Sequence, residues 1–473
     1  MAHPSRNTLR ALLGASTLAL SVLAGPALIA PAWADSIFTP SADEFQGQIR
    51  IIGEVRGDPI YQGGKAKVTG SKLAPGQKIT LLRGAHVLNK EPITVDDKGE
   101  FSHVIEVDAA AATGLQPIVV ATEGPASASV VDLKISQKLP ISGEDKFTVT
   151  SEAVNPGLYQ VVESPKSQAV YVASAVGRPP IKDSALVRLN PETLKVEARI
   201  SPAEAPAKDG KPGGLFAVYG VAVDDANDTV WTSNTRQDTI AVYKQSDLSL
   251  VKQYDPGTVA HARDIVIDEA NGRAYASTSF GADLHVFDTK TLEELPPIRI
   301  QSKVTGKEFG AMALDIDETH GKLATVSYNT PEAAIIDLTS GKAKVIKLPR
   351  AKTASGVAFD AQDNLLFVVS QDTDNLLIVN AETGETLHDV NVGATPLNVT
   401  FEPKSRLAFI ANRSAGTIAV VDTKGQIVAN LQTGGFPNQL RADGKGNVWA
   451  VNKSRNETDE AGDRIWRITP KAE

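Results

Sequence analysis

The chain has 473 residues, a hydrophobic content of 42% and a formal charge of −8, with 48 basic and 56 acidic residues. This content supplies a sizeable core and excludes global disorder, while the negative charge argues against a general nucleic-acid binder. The chain contains no cysteine, which excludes disulfides, thiol catalysis and thiolate metal sites.

The first 34 residues have the features of a bacterial secretory signal peptide. Arg6 and Arg10 form a basic start, an apolar stretch interrupted by glycine and proline follows, and the motif AWA precedes Asp35. We therefore expect residues 1–34 to be a signal peptide and residues 35–47 to form a flexible lead. The expected location is the periplasm or the medium, with no transmembrane segment after cleavage.

Residues 48–136 alternate between apolar and polar side chains in about seven short runs, broken by Gly, Pro and Asp turns. This period-two pattern predicts antiparallel strands. Seven strands in fewer than 100 residues predict a small β-sandwich. The stretch VTGSKLAPGQKITLL, followed by VDDKGEF, resembles bacterial immunoglobulin-like modules.

Residues 137–473 contain a hairpin that recurs seven times. The copies align on a residue of the second strand, and each carries Ser, Thr or Asn three positions later. The aligned residues are Tyr171, Trp231, Tyr275, Ala324, Phe367, Phe409 and Trp449. Most intervals between them are 40 to 49 residues and the first is 60, which predicts a seven-bladed β-propeller with four strands per blade. We expect the aligned residues to pack between blades and the polar ones to bond turn backbone.

The seventh repeat ends at DRIWRITP, which leaves no sequence for a fourth strand. An unassigned strand, DKFTVTSEAV, precedes the first repeat. We expect residues 145–154 to pair with Arg464–Ile468 and close the ring, because an open outer edge would be exposed.

The segment LAFIANRSAGTIAVVD resembles the repeat of the YVTN β-propellers. The first repeat, VYVASAVGRPPIKDSALVRLNPETLKVEARI, and the ending FPNQLRADGKGNVWAVNKSRNETDEAGDRIWRI are similar to the YncE-type periplasmic members. This resemblance covers roughly residues 150–470 and implies the propeller fold. The preceding sandwich is not part of the simple family pattern, and the repeat residues are mostly structural.

The longest loops, from Ala175, Ser201, Gln301 and Lys453, are expected on one face of the propeller, where the inner strands begin. Long loops on a rigid scaffold often bind ligands. Tyrosine and arginine suit a planar anion, although a water-filled funnel is equally compatible with polar residues here. The candidate binding residues on this top face are Tyr159, Arg178, Tyr219, Arg236, His261, Arg263, Asn398, Arg413, Asn438 and Lys453.

Catalytic signatures are mostly absent from the sequence. It has no phosphate-binding Gly-Lys-Ser/Thr loop and no Gly-x-Ser-x-Gly elbow. The seven histidines do not pair at metal-ligand spacing, although different blades of a propeller can combine ligands. We therefore expect no catalytic residue, no metal and no cofactor.

The predicted protein is an all-β, exported, non-enzymatic binding or scaffold protein that acts through the top face of its propeller. A propeller hydrolase such as a lactonase is one alternative. A binder of an anionic ligand or of nucleic acid at a basic channel mouth is another, with nucleic acid not favoured. The partner is expected to be a small molecule or a protein, and the chain a monomer.

Overall fold

The computed structural model of the protein describes residues 41, 44–207, 210 and 212–471. These residues are all-β, apart from two short 3-10 helices at Glu144–Lys146 and Thr235–Gln237. The predicted signal peptide of residues 1–34 and most of the flexible lead lie outside the described residues. Across the described ranges, no helix has the length and apolar character needed to span a membrane.

Two sheets that share one core form the N-terminal unit. The first contains, in spatial order, β1 (Gln48–Gly53), β2 (Lys65–Ser71) and β6 (Phe101–Glu106). The second contains β4 (His86–Val87), β3 (Lys78–Arg83), β7 (Gly114–Glu123) and β8 (Ser127–Ile135), with β5 (Ile93–Thr94) also paired to β3. Alternate residues point into the core, because successive side chains of a strand face opposite sides of a sheet.

The rest of the described chain forms seven four-stranded antiparallel sheets. Sheet 1 contains β10 (Leu158–Ser164), β11 (Ala169–Val176), β12 (Asp183–Leu189) and β13 (Val196–Ile200). Sheet 2 contains β14 (Val218–Asp224), β15 (Thr229–Asn234), β16 (Thr239–Lys244) and β17 (Leu250–Gln253). Sheet 3 contains β18 (Ala262–Asp268), β19 (Arg273–Thr278), β20 (Asp283–Asp288) and β21 (Glu294–Arg299).

The next three sheets have the same order of strands. Sheet 4 contains β22 (Ala311–Asp317), β23 (Lys322–Ser327), β24 (Glu332–Asp337) and β25 (Lys342–Lys347). Sheet 5 contains β26 (Ala354–Asp360), β27 (Leu365–Ser370), β28 (Asn375–Asn380) and β29 (Thr386–Asn391). Sheet 6 contains β30 (Pro396–Glu402), β31 (Leu407–Asn412), β32 (Thr417–Asp422) and β33 (Ile427–Gln432).

Sheet 7 combines strands from both ends of this region. It contains β34 (Phe436–Ala442), β35 (Val448–Lys453), β36 (Arg464–Pro470) and β9 (Phe147–Ala153). The pairing of β36 with β9 is antiparallel and joins Arg464 to Ala153 and Pro470 to Phe147.

The first strands of successive sheets contact one another, and β34 of sheet 7 contacts β10 of sheet 1, so the seven sheets form a closed ring. Large side chains fill the spaces between sheets. Trp231 of sheet 2 packs in one cluster with Ile265 of sheet 3, and Trp449 of sheet 7 packs with Val161 of sheet 1. Each sheet therefore covers an apolar face that its neighbour cannot cover alone.

The first strand of every sheet has an irregular register near its beginning. In sheets 1, 2, 5, 6 and 7 one residue is left out of the ladder, and in sheets 3 and 4 two residues oppose one. Such bulges redirect side chains and are frequent near functional sites. Here they occur at the end of the channel where the first strands begin, which we call the mouth.

The N-terminal unit is attached to the ring at sheets 5, 6 and 7. The Lys134 ammonium lies 2.7 Å from Asp374 Oδ1 and donates to the Gln371 carbonyl, also at 2.7 Å. Arg455 of the ring pairs with Asp58 at 2.8 Å. These charged contacts hold the two units in one arrangement.

Candidate functional site

A cavity of about 300 Å³ opens at the mouth of the channel, and we call it the mouth cavity. Six of the seven sheets line it with bulge residues of their first strands: Tyr159, Tyr219, Arg263, Met312, Leu397 and Asn438. The other lining residues are Thr235, Arg236, His261, Ser279, Phe280, Tyr328, Gln371, Arg413 and Lys453.

The second lining set comes mainly from the segments at and just after the ends of the second strands. Each of these strands ends near a Ser, Thr or Asn of the repeat, and the next residue turns toward the mouth. Thr235, Ser279, Tyr328, Gln371, Arg413 and Lys453 occupy this position. Two positions of the repeat therefore supply most of the lining. The side chains at these positions differ between repeats, and these differences determine the charge and polarity of the cavity.

Two stacked tyrosines form one wall of the mouth cavity. The rings of Tyr159 and Tyr219 lie 3.6 Å apart between centroids, with an angle of 16° between their planes. Arg236 Nε donates to the Tyr219 hydroxyl at 2.9 Å. Lys453 Nζ lies 2.7 Å from the Tyr159 ring centroid. Burial, followed by the neighbouring Tyr219, raises the pKa of Tyr159, so this phenol remains neutral.

Arg413 is held beside this wall by a short chain of hydrogen bonds. Its Nη1 donates to Asn438 Oδ1 at 2.6 Å, and Asn438 Nδ2 donates to the Tyr159 carbonyl at 2.7 Å. Its guanidinium carbon also lies 4.9 Å from the Phe436 ring centroid. Burial and then the charge of Arg263 lower the pKa of Arg413 to about 10. The shift therefore comes first from burial, and the charge of Arg263 adds to it.

Arg263 is the least constrained of the basic residues. Among the described residues, its guanidinium has no hydrogen-bond or ion-pair partner, whereas its main-chain carbonyl accepts from Ser233 Oγ at 3.0 Å. The backbone is thus fixed while the charged group stays free to bind. A guanidinium whose N–H donors have no partner in the protein can form two parallel hydrogen bonds to a carboxylate or phosphate.

Phe280, Tyr328 and His261 form a second group of ring side chains in the mouth cavity. The ring of Phe280 is 53% exposed and lies 5.8 Å from Tyr328 in an edge-to-face arrangement. His261 lies 4.9 Å from Phe280. Burial lowers the pKa of His261, and the nearby Arg236 and Arg263 lower it further, although Asp238 acts in the opposite direction. The imidazole is therefore neutral at neutral pH.

Polar side chains deeper in the channel bind the backbone of the neighbouring sheet. Gln439 accepts from Val161 N at 2.9 Å, and Asp264 accepts from Leu314 N at 2.9 Å. Asn398 Oδ1 likewise accepts from Leu440 N at 2.9 Å. These residues fix the relative positions of the sheets, so their polar atoms are used within the fold.

Eight of the ten residues proposed from the sequence line the mouth cavity, and two do not. Arg178 is exposed in the loop after β11. Asn398 follows the bulge residue of its strand, so Leu397 takes the mouth position and Asn398 faces the neighbouring sheet. A one-residue offset in a bulged strand changes which side chain reaches the mouth.

Several lining residues were not expected from the sequence, notably Phe280, Tyr328 and Gln371. Tyr328 and Gln371 directly follow the polar repeat residues Ser327 and Ser370. Arg413 and Lys453 also stand one residue after a polar repeat residue. The same position in the repeat therefore identifies Tyr328 and Gln371 as lining residues. Phe280 lies one residue further along its turn, and the repeat offset alone does not identify it.

No set of three or more His, Cys, Asp or Glu side chains is arranged to hold a metal ion within the described part of the chain. The expected absence of metal, cofactor and catalytic residues stays a prediction.

Comparisons with known proteins support a YncE-like β-propeller. No protein-family model matches the chain. The YncE protein of Salmonella typhimurium (strain LT2) is 24% identical over 321 residues, which cover 65% of this chain and 86% of YncE. Among solved structures, the RRP9 WD40 repeats align with a TM-score of 0.55 and 10% identity, covering 71% of this chain and 100% of theirs.

A virginiamycin B lyase from Staphylococcus aureus also has a similar structure. It aligns with a TM-score of 0.51 and 14% identity, and the alignment covers 68% of this chain and 99% of the lyase. At this identity the likeness shows the fold alone, since the same fold supports unrelated activities. The comparisons therefore agree with the ring of four-stranded sheets, and together they identify the chain as a propeller similar to YncE.

Proposed function

We propose that this protein is an exported binding protein in which a seven-bladed β-propeller follows an immunoglobulin-like sandwich, and that it binds an organic anion in the mouth cavity. The ring of seven sheets and the preceding pair of packed sheets support this architecture. The basic and apolar pattern of residues 1–34 supports export.

One observation carries the proposed binding function: the described residues that line the mouth cavity include three arginines and a lysine, and no carboxylate. The whole protein has a formal charge of −8, so this concentration of positive charge is local. Cations that lack acidic partners in a concave site focus the field on a ligand of opposite charge. An anion that enters would also relieve the repulsion among the guanidinium groups.

The shape of the cavity favours a small organic anion. Its volume of about 300 Å³ is at the lower end of the range for small-molecule sites. The exposed Phe280 ring offers an apolar surface, and the arginines offer paired donors. The ligand class that fits is a compact molecule with a carboxylate, phosphate or sulfonate group attached to a flat or apolar body.

The test is a set of four anions, pyrophosphate, citrate, pyridoxine 5′-phosphate and naphthalene disulfonate, added to the purified mature protein. We expect at least one to raise the melting temperature and to bind in calorimetry, more weakly as salt is raised. Arg263→Ala should weaken that binding about ten- to a hundred-fold, because a charge-assisted hydrogen bond contributes about 1.5–3 kcal/mol.

Arg178→Ala is the matched control. Arg178 belongs to the same face but lies outside the mouth cavity, so its removal should leave the affinity unchanged. Failure of all four anions to bind, or equal affinities for the two variants, would contradict the proposed function. Preference for a long single-stranded oligonucleotide over every small anion would instead favour a nucleic-acid binder.

A further inference from the structure

Lys453 shares the mouth cavity with three arginines. Among the described residues, its ammonium group has no hydrogen-bond acceptor and no carboxylate partner. It lies 2.7 Å from the Tyr159 ring centroid and 5.9 Å from that of Tyr219. The nearby Asp463 carboxylate is already engaged, since it accepts from Gly157 N at 2.8 Å and from Ser454 Oγ at 2.6 Å. None of the described lining residues is thus arranged to neutralise a charged lysine.

The surroundings of Lys453 disfavour its protonated form. Burial has the largest effect, the positive charges of Arg413, Arg263 and Arg236 add to it, and the Asp463 charge opposes them, so the pKa of Lys453 lies well below its ordinary value. The Tyr159 ring attracts cations, but it also accepts an N–H from a neutral amine. A lysine desolvated beside other cations is a recognised form of activated nucleophile.

We propose that Lys453 is a reactive amine that forms a reversible imine with an aldehyde or ketone group of the bound anion. This inference rests on the proposed function, because the arginines must first hold the anionic end of the ligand. It narrows the ligand to an anion that carries a carbonyl, such as an oxo acid or a phosphorylated aldehyde.

The step needs no oxidant and no reductant. The Lys453 nitrogen attacks the carbonyl carbon with its lone pair, and the C=O π electrons move to oxygen. A proton passes from nitrogen to that oxygen to give a carbinolamine. Solvent protonates the hydroxyl group, which leaves as water while the nitrogen lone pair forms the C=N bond, and the remaining N–H proton returns to solvent. His261 lines the same cavity and is neutral, so its imidazole can accept and return a proton.

The experiment compares pyridoxal 5′-phosphate with pyridoxine 5′-phosphate, which has the same ring and phosphate but no aldehyde. The mature protein is incubated with the aldehyde at neutral pH, treated with cyanoborohydride, digested and analysed by mass spectrometry. We expect Lys453 to be labelled at least about tenfold faster than Lys322, because an ordinary lysine with a pKa near 10.4 is neutral in only roughly one molecule in 2,500 at pH 7.

Lys322 is a suitable internal control because it lies at the start of β23, on the opposite face, and pairs with Asp337 at 2.7 Å. The same comparison is made with formaldehyde, whose small size and neutrality remove any dependence on the arginines. Lys453→Met keeps the apolar stem and should abolish the fast label.

The outcomes separate the two proposals. Labelling of Lys453 no faster than Lys322 by formaldehyde would overturn the reactive amine, whatever is found for anion binding. Fast labelling by formaldehyde, together with no preference for the phosphorylated aldehyde and no effect of Arg263→Ala, would keep the reactive amine but contradict the anion site. Fast labelling by both reagents, with protection by pyridoxine 5′-phosphate, would support both.

Discussion

Asp315 is a half-buried carboxylate within the channel, at a repeat position that is alanine in sheets 2 and 5. Its Oδ2 accepts from Phe359 N at 2.8 Å, which connects sheet 4 to sheet 5. Burial raises its pKa to about 6, although the charge of Arg441 acts in the opposite direction. Ionisation of this residue therefore opposes folding, while its hydrogen bond supports the ring.

The raised pKa of Asp315 predicts that the free energy of unfolding depends on pH. The folded protein holds the proton up to about pH 6, whereas the unfolded chain loses it near the ordinary value of 3.8. Stability therefore falls as pH rises through this window, by up to about 3 kcal/mol for a shift of this size. We expect Asp315→Asn, which keeps an acceptor for Phe359, to gain free energy of unfolding relative to the native chain between pH 4 and pH 7.

Denaturant unfolding at several pH values measures this difference. Asp97→Asn, at an exposed turn of the N-terminal unit, is the control for the loss of a surface carboxylate. A difference between Asp315→Asn and the native chain that stays constant across the window would show that Asp315 does not titrate there.

At the residue scale, the sequence reveals the mouth where the repeat is regular. Tyr159, Tyr219, Arg263 and Asn438 can be found because each stands near the start of an inner strand. Asn398 cannot be separated from Leu397 in this way, because the bulge that decides which one reaches the mouth depends on pairing with the next strand. Arg178 lies in a long loop whose path depends on contacts beyond the repeat.

At the scale of elements, β9 completes a sheet whose other strands lie far along the chain. Phe147 at its start is 4% exposed and meets the Phe409 ring edge-to-face at 6.0 Å between centroids. It belongs to the cluster that fills the space between sheets 6 and 7. One aromatic side chain therefore contributes both to the closure of sheet 7 and to the packing between sheets.

We expect Phe147→Ala to lower the free energy of unfolding by about 3–5 kcal/mol, because a large buried ring is lost and a cavity remains. Val149→Ala on the same strand is the control, since Val149 is 40% exposed and its truncation should cost less than about 1 kcal/mol. Urea unfolding followed by tryptophan fluorescence gives both values. Similar small losses for the two variants would mean that β9 contributes little to closure.

The positions of the strands are easier to predict from this sequence than the pairs that the strands form. The hairpins of sheets 1 to 6 are local, and their alternation and turn residues can be recognised within about 40 residues. The pairing of β36 with β9 has no local signal and follows only from a count of strands per repeat. The two sheets of the N-terminal unit are also indicated by alternation, whereas their attachment to the ring has no periodic pattern.

At the scale of the whole molecule, that attachment depends on a charged group with little exposure. Lys134 is bonded to Asp374, to the Gln371 carbonyl and to Thr395 Oγ1, and the Asp374 side chain is 5% exposed. Gln371 also lines the mouth cavity. The N-terminal unit is therefore in direct contact with the backbone that shapes the proposed binding site.

We expect Lys134→Met to lower the free energy of unfolding by about 3 kcal/mol, because the buried Asp374 loses its cation and removing one partner of such a pair costs about 3–5 kcal/mol. The double variant Lys134→Met/Asp374→Asn should recover part of this loss, since no unpaired charge remains. Lys78→Met, which affects only an exposed bond to Thr94, is the control. Strictly additive losses in the double variant would rule out a coupled ion pair.

The composition of sheet 7 also has a consequence for how the protein is made. Ala153 is synthesised first, and its partner Arg464 follows about 310 positions later, a delay of about 15–60 seconds at ~5–20 residues per second. An unpaired strand is a template for aggregation during such an interval. The sequence of β9, FTVTSEA, has one aromatic residue, at its start, and polar residues at four of the other six positions. The strand that closes the ring is therefore polar enough to stay hydrated and unpaired until its partner has been synthesised.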